Sequence, residues 1–379
     1  MWKVQLFKLN YDKQESQAVK DVVDSGWITM GEKTKEFESN FASYLGGGVE
    51  AVAVSNGTAA LHMALLALDV GVGDEVIVAS LTFVADINVV KLVGATPILA
   101  DCTSYEDWNI SPADIESKIT KKTKAVIVVH YAGYSCDMDA ISNICKKYKI
   151  ALIEDASHAP GAKYNGKYIG SIGDIGCFSF FTNKNLSVGE GGMVVAKDPK
   201  IVQSLRYFRS HGMTALTLDR HKGRAVTYDV EQPGLNYRID EMRSALGVIQ
   251  LSKLEKANKQ RELLVKEYVR QLKDVNKINL PFLFQLENDK YLPSYHILPI
   301  LLDVGIDRLS VIASLKDDGI QSSIHYPSFQ EFTAYKDANL GKTPIANDIS
   351  KRELTLPLYP TMTFEEVTLV CDALKRALV

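Results

Sequence analysis

Lys184 is the residue of this sequence with the clearest capacity for covalent chemistry. It follows an apolar, aromatic run at 175–181 and precedes a glycine-rich segment at 189–192 (Gly-Glu-Gly-Gly). The run is typical of a buried strand, so the lysine would be held on a rigid support. Its amine can form a Schiff base with an aldehyde cofactor if its pKa is lowered. A single lysine is more often an exposed surface residue, so the rest of the sequence must decide between the two interpretations.

A second candidate is Asp155, which ends the apolar run at 150–155. A carboxylate at a buried strand end needs a cationic or N–H partner. A protonated pyridine nitrogen is such a partner, and its pairing with aspartate keeps pyridoxal phosphate (PLP) an effective electron acceptor. Capping of the following loop explains an aspartate here equally well. His158 could donate to a cofactor ring, although an isolated histidine is more often structural.

Residues 55–61 (Ser-Asn-Gly-Thr-Ala-Ala-Leu) form a strand-to-helix turn that could receive a phosphate group. The N–H groups around Gly57 and the hydroxyl of Thr58 would face an anion at a helix N-terminus. An ordinary helix cap is the alternative. Two other glycine motifs fail, because residues 71–76 precede a strand and residues 161–168 lie in a hairpin and lack the Ser or Thr of a P-loop.

Strand and helix patterns alternate from residue 51, which predicts an α/β fold with a mostly parallel central sheet sandwiched by helices. Ligands of such sheets bind at the carboxyl ends of the strands, where the candidate residues lie. Asn-Gly at 165–166 predicts a hairpin turn, and residues 216–232 predict a long loop. The predicted strands are 51–55, 75–79, 96–100, 125–129, 150–155, 175–181, 193–196 and 295–302; the predicted helices are 15–23, 37–44, 58–68, 85–92, one from 111, 138–148, 200–209, 239–272, 311–315 and 364–378.

The long helix at 239–272 is expected to connect two domains. We predict a large PLP-binding domain at 1–250, with an N-terminal segment at 1–50, and a small α+β C-terminal domain at 251–379.

Composition excludes several classes of function. Lys plus Arg number 43 and Asp plus Glu 46, a formal net charge of −3, which gives no electrostatic case for nucleic-acid binding. No apolar run approaches the roughly 20 residues of a membrane span, and the N-terminus lacks a secretory signal pattern. The five cysteines include no Cys-x-x-Cys pair. We therefore expect no disulfide, no metal site and no membrane partner, and a cytoplasmic location.

Taken together, these motifs resemble the DegT-type sugar aminotransferases, a PLP-dependent family of fold type I in the aspartate-aminotransferase superfamily. The resemblance covers about residues 25–330, and its most specific part is the Phe-Ser-Phe run before Lys184 followed by Gly-Glu-Gly-Gly. The matching segments are 55–61, 73–77, 82–83, 154–155, 178–184, 189–192, 234–238 and 324–327.

The resemblance implies a role for each matching residue. Lys184 would form the Schiff base with PLP and move the proton between the cofactor and the substrate carbon. The other implied contacts are Asp155 with the pyridine nitrogen, Phe83 stacked on the ring, His158 near the ring hydroxyl, Gly57, Thr58 and Ser179 with the phosphate, Asn236 with the phosphate from the neighbouring subunit, and His325 and Tyr326 with the sugar.

The implied reaction is a ping-pong transfer of an amino group from L-glutamate to a keto sugar, usually nucleotide-linked, as in amino-sugar biosynthesis. The implied assembly is a homodimer with the active site at the subunit interface. Segments 211–232 and 325–335 are expected to select the sugar.

Alternatives remain open at this point. Relatives that dehydrate sugars carry histidine at the position of Lys184, so the lysine disfavours dehydration. The acceptor could instead be a cyclitol ketone, a free keto sugar or a 2-oxo acid. A 2-oxo acid would call for an arginine to bind its α-carboxylate, and Arg308 and Arg352 are available. A regulatory protein that keeps the fold without turnover is the last alternative.

Overall fold

The structure is a computed structural model that describes residues 2–215, 218, 221–223, 225–336, 338 and 340–379. Its described strands are β1 (Glu50–Val54), β2 (Glu75–Ala79), β3 (Thr96–Ala100), β4 (Thr123–Val129), β5 (Ala151–Asp155), β6 (Lys163–Tyr164), β7 (Lys167–Tyr168), β8 (Ile175–Ser179), β9 (Gly192–Ala196), β10 (Ile278–Asn279), β11 (Tyr291–Leu292), β12 (Leu298–Leu302) and β13 (Glu353–Leu356). Its described helices are α1 (Lys13–Ser25), α2 (Glu32–Leu45), α3 (Gly57–Ala67), α4 (Ala85–Leu92), α5 (Pro112–Lys118), α6 (Met138–Tyr148), α7 (Pro199–Arg209), α8 (Glu241–Leu272), α9 (Leu283–Leu286), α10 (Arg308–Asp317), α11 (Pro344–Arg352) and α12 (Phe364–Ala377).

A central sheet organises the N-terminal two thirds of the chain. Within the described residues it has seven strands in the order β1-β9-β8-β5-β4-β2-β3, and β9 runs antiparallel to its neighbours β1 and β8. Because side chains alternate along a strand, Ile127 and Ile153 pack under α3, α4 and α7, whereas Val126 and Leu152 pack under α2, α6 and α8. Both faces are therefore buried, as the near-continuous apolar strands predict.

A smaller unit follows the central sheet. Strands β10, β12 and β13 form a three-stranded sheet, and its core contains residues of α8, α10 and α12 such as Tyr268, Leu315 and Leu374. Helix α8 is continuous from residue 241 to residue 272. The predicted division between residues 250 and 251 thus falls inside this helix, and it stays a prediction.

Most of the predicted elements are confirmed, including the α/β class and the hairpin turn, where Asn165 and Gly166 have φ of 48° and 74°. Helix α11 and strand β13 were not predicted, because the short apolar pattern of 344–356 is interrupted by charged residues. Of the predicted loop at 216–232, residues 216, 217, 219, 220 and 224 lie outside the described residues. Among the described helices, none combines the length and the apolar composition needed to cross a bilayer.

Candidate active site

A cavity of about 620 Å³ lies at the carboxyl ends of the central strands, within the usual size range of small-molecule sites. The structure brings nine of the ten predicted site residues into its wall: Gly57, Thr58, Phe83, Asp155, His158, Ser179, Lys184, His325 and Tyr326. Asn236 does not line the cavity and is exposed, although its neighbour Tyr237 does line it.

Lys184 reaches this cavity from a turn after β8. Its main-chain N–H donates to the carbonyl of Phe181 at 2.8 Å, which fixes the turn. Burial lowers the pKa of the Lys184 amine to about 8, against the opposing charge of Asp155. About a tenth of the amine is then unprotonated at pH 7, compared with a few parts in 10⁴ for an ordinary lysine. The structure therefore gives this lysine the neutral form that nucleophilic chemistry needs.

Asp155 ends β5 on the face covered by α3 and α4, because it lies two residues after Ile153. The N–H of Ser157 donates to its Oδ1 at 2.9 Å and fixes the carboxyl group. Burial raises the pKa of Asp155, while the hydrogen bonds from Ser157 and the charge of Lys184 act in the opposite direction. A cation brought next to this carboxylate would be stabilised.

A second buried carboxyl group lies close to Asp155, and the sequence did not single it out. Asp86 belongs to the first turn of α4, and its Oδ2 accepts a hydrogen bond of 2.5 Å from the hydroxyl of Thr82. Burial and the charge of Asp155 raise the pKa of Asp86 well above its ordinary value. The available signal was a charged residue in the otherwise apolar start of this helix.

The N-terminus of α3 forms the opposite end of the site. Asn56 caps the helix by accepting from the N–H of Ala59 at 2.8 Å. A Cβ atom on Gly57 would lie 2.8 Å from the Cβ of Ser179, so glycine allows the helix end to approach β8 closely. The first-turn N–H groups of a helix have no intrahelical acceptor, and an anion at this end is stabilised by them.

Three further side chains close the cavity. Phe83 is 54% exposed, and its ring centroid lies 5.7 Å from that of Tyr326. The Nδ1 of His158 accepts from the N–H of Ala132 at 3.2 Å, so the proton of a neutral imidazole is on Nε2 and is donated to the hydroxyl of Tyr326 at 2.9 Å. Burial, together with the charges of Lys184 and His325, lowers the pKa of His158 well below its ordinary value, which keeps it neutral.

His325 is held by two polar residues of β13 that the sequence reasoning missed. Its Nδ1 lies 2.8 Å from Oγ1 of Thr355, and its main-chain N–H donates to Oε2 of Glu353 at 2.7 Å. Burial lowers the pKa of His325 to about 3 and raises that of Glu353 to about 8. The available signal was the polar–apolar alternation of Glu-Leu-Thr-Leu, which places Glu353 and Thr355 on one face of the strand.

The two arginines proposed for a 2-oxo acid lie outside the cavity. Arg308 donates to the carbonyl groups of Ser350 and Glu353 at 2.6 and 3.0 Å. Arg352 donates to the carbonyl of Leu302 and pairs with Asp348. Neither is placed to bind a substrate carboxylate in this chain.

The residues of this cavity fit PLP. A phosphate group matches the helix end at Gly57, a pyridinium nitrogen matches Asp155, and an aldehyde matches the amine of Lys184. Phe83 presents a ring face of the kind that stacks on an aromatic cofactor.

Comparison with known proteins agrees with this geometry. The model of the DegT/DnrJ/EryC1/StrS aminotransferase family matches residues 10–375. The chain is 37% identical over 374 residues to the spore coat polysaccharide biosynthesis protein SpsC of Bacillus subtilis (strain 168), covering 96% of this chain and 94% of SpsC.

Solved structures agree with it as well. Helicobacter pylori PseC, an aminotransferase involved in the biosynthesis of pseudoaminic acid, is similar with a TM-score of 0.90 and 29% identity, covering 99% of this chain and 98% of PseC. Spr1654 of Streptococcus pneumoniae is known in a PMP form, similar with a TM-score of 0.89 and 29% identity over 100% of this chain and 98% of that one, and in a PLP form.

Proposed function

This chain belongs to the DegT/DnrJ/EryC1/StrS aminotransferase family, and we propose that it transfers an amino group from L-glutamate to a nucleotide-linked keto sugar. The chain is a PLP-dependent sugar aminotransferase. The donor, the acceptor and the residue roles that follow are the proposal.

The observation that carries the proposal is the placing of Lys184 and Asp155 in one cavity. A lysine with a pKa of about 8 offers a reactive amine, and a buried carboxylate offers a partner for a pyridinium nitrogen. PLP, when bound, supplies the carbonyl that accepts the amino group and the ring that delocalises the developing negative charge. Transfer would follow ping-pong kinetics, because donor and acceptor react in separate halves.

Each lining residue has a proposed task. Lys184 holds the cofactor and carries the proton between the cofactor and the substrate carbon. Asp155 stabilises the pyridinium charge, and Phe83 packs against the ring. Gly57, Thr58 and Ser179 bind the phosphate, His158 lies near the ring hydroxyl, and His325 and Tyr326 bind the sugar. Because Lys184 is present, transamination is preferred over dehydration.

A substrate panel tests the proposed acceptor. The purified protein, loaded with PLP, is incubated with L-glutamate and one acceptor at a time. The acceptors are nucleotide-linked keto sugars, free keto sugars, a cyclitol ketone and simple 2-oxo acids. We expect 2-oxoglutarate to form with a nucleotide-linked keto sugar and not in the Lys184→Ala control. Turnover of 2-oxo acids alone would contradict the proposed acceptor, and no turnover with any acceptor would favour a regulatory protein.

We further propose a homodimer whose two chains share each active site. Asn236 is exposed and outside the cavity of its own chain, one residue from Tyr237, which lines that cavity. The exposed aromatic ring of Phe181, which also lines the cavity, is suited to contact with a second chain. Asn236 would then bind the phosphate in the partner's site.

Mixed dimers test this arrangement. Asn236→Ala and Lys184→Ala chains are expected to be weakly active or inactive alone, but their mixed dimer has one intact site made of Lys184 from one chain and Asn236 from the other. Random mixing should therefore restore roughly a quarter of the wild-type activity. A mixture of Lys184→Ala with Asp155→Ala is the matched control, since both residues serve the same site and no activity should return. Equal results from the two mixtures would contradict a shared site.

A cytoplasmic location remains part of the proposal. All five cysteines are free and buried, as is usual for proteins of reducing compartments.

A further inference from the structure

A chain of hydrogen bonds leads from the interior of the C-terminal unit to the active-site cavity. It begins at the carboxyl group of Glu353, whose Oε1 lies 2.5 Å from the hydroxyl oxygen of Thr355. The same hydroxyl oxygen lies 2.8 Å from Nδ1 of His325. His325 then lines the cavity. Glu353 and Thr355 are fully buried, and His325 is 8% exposed.

This chain of hydrogen bonds joins two segments that are separate in the sequence. Strand β13 alternates Glu353 and Thr355 on one face with Leu354 and Leu356 in the core. Main-chain bonds between Ser323 and Thr355 of 3.1 and 2.9 Å hold the loop before His325 against β13. The main-chain N–H of His325 donates to Glu353 as well, so Glu353 holds both the loop and, through Thr355, the imidazole.

The hydroxyl of Thr355 has one proton, which allows two arrangements. When Glu353 is ionised, Thr355 donates to it and must accept from Nδ1–H of His325, so Nε2 offers a lone pair to the cavity. When Glu353 is protonated, it donates to Thr355, Thr355 donates to Nδ1, and the proton of the imidazole is on Nε2. The protonation state of the buried carboxyl group therefore decides whether His325 is an acceptor or a donor toward the substrate.

Both arrangements are accessible near neutral pH. Burial raises the pKa of Glu353 to about 8, with the charge of Arg308 acting against it. Burial, assisted by the charge of Lys184, lowers the pKa of His325 to about 3, so the imidazole stays neutral and only its tautomer changes. The titratable and charged groups that interact with Glu353 or His325 from surrounding elements are Tyr131, His158, Lys184, His296, Arg308 and Tyr326.

We propose that Glu353, Thr355 and His325 form a proton relay that serves the sugar-acceptor side of the active site. Glu353 and Thr355 are positioning residues in this relay, and His325 is the group that meets the substrate; this step rests on the proposed function. In one direction, Nε2–H gives its proton to a substrate oxygen, Thr355 passes its proton to Nδ1, and Glu353 passes its proton to Thr355. The result is one proton delivered to the cavity and one negative charge left on Glu353; the reverse sequence restores the starting state.

The relay suits the chemistry of a carbonyl acceptor. Condensation of an amine with a ketone removes the carbonyl oxygen as water, and that oxygen must be protonated to leave. A donor that is neutral and fixed in the cavity can supply the proton without a charged imidazolium, which this buried site disfavours.

The tautomer of His325 can be observed without cofactor or substrate. Protein labelled with ¹⁵N-histidine is followed by NMR from pH 6 to 10, and the signals of His325 are assigned with His325→Gln. We expect Nε2 to change from the N–H type to the lone-pair type with a midpoint near pH 8. Glu353→Gln should hold the N–H type at all pH values, because its amide oxygen accepts from the main-chain N–H of His325 and its NH2 group is then left to donate to Thr355. A wild-type signal that keeps one type throughout, or an unchanged transition in Glu353→Gln, would overturn the relay.

Activity separates the relay from a structural role of the same residues. Thr355→Val removes the hydroxyl, whereas Thr355→Ser keeps it. With the keto sugar saturating, we expect kcat to fall about 10²-fold in Thr355→Val with little change in KM, and to stay within about twofold in Thr355→Ser. Equal kcat values in a folded Thr355→Val and Thr355→Ser would overturn the catalytic use of the relay. Because the NMR result requires no turnover, failure of the proposed acceptor would leave it standing and would be recognised separately.

Discussion

Replacing Lys184 with alanine is expected to reduce glutamate-dependent transamination by about 10⁴-fold, the upper end of the effect of a proton-transferring group. The loss is this large because one amine is proposed to hold the cofactor covalently and also to carry the proton. Wild-type protein loaded with PLP should absorb near the edge of the visible range and become irreversibly modified by borohydride. Both properties should disappear in Lys184→Ala, which is checked by absorbance and by the mass of the intact protein.

Lys184→Arg is the matched control for the positive charge. A guanidinium group remains protonated at all accessible pH values, so the variant keeps the charge and loses the reactive amine. We expect it to be as inactive as the alanine variant. A wild-type protein that stays colourless and unmodified by borohydride, or an arginine variant with substantial turnover, would contradict the assignment of Lys184.

The same residue predicts a pH dependence. The pKa of about 8 means that the reactive neutral form of Lys184 is lost as pH falls below that value. The rate at which cofactor-free protein reacts with PLP should therefore drop about tenfold for each pH unit below 8 and level off above it. A rate that keeps rising to pH 10 would indicate an ordinary exposed lysine.

The site residues at strand ends could be predicted from the sequence because a parallel sheet brings the carboxyl ends of its strands together. Asp155 ends an apolar strand, and Lys184 and Gly57 each follow one; these strands are far apart in sequence, and their carboxyl ends meet at one edge. The resemblance then supplied Phe83 and the two residues of the His-Tyr segment at 325–326. Predicting the strand-end residues required only the strand pattern, the order of the motifs and one topological rule.

The residues that support the site were not predictable in the same way. Glu353 and Thr355 lie in a strand whose alternation is typical of a half-exposed edge, and their burial depends on the loop at 323–326 closing over them. Asp86 becomes unusual because the fold buries it and brings Asp155, 69 residues later in the sequence, close to it. Such pairings depend on tertiary contacts between segments, and a pattern within one segment can mark a residue as unusual without showing which partner it meets.

Replacing Asp155 with asparagine is expected to lower activity and to raise the stability of the cofactor-free protein. Asp155→Asn keeps the size of the side chain and removes the charge that would pair with the pyridinium nitrogen. The loss of one fixed electrostatic partner in an active site typically lowers kcat by about 10²–10³-fold, and we expect a loss of that order. Asp155→Glu, which keeps the charge but displaces it, should lose less. Activity of Asp155→Asn within about fivefold of the wild type would contradict the pairing.

The stability of the cofactor-free protein should change in the opposite direction. Burial raises the pKa of Asp155 above its value in the unfolded chain, so between the two values the folded state binds more protons and stability falls as pH rises. Asp155→Asn removes this dependence, and its Tm should exceed that of the wild type by more at pH 8 than at pH 4. The charge of Asp155 also raises the pKa of Asp86, so the difference between the two proteins reports on Asp155 together with its effect on Asp86. A carboxylate that reduces stability without cofactor and is needed for turnover is what a binding site for a cationic ring requires, because the charge becomes favourable only when its partner is bound.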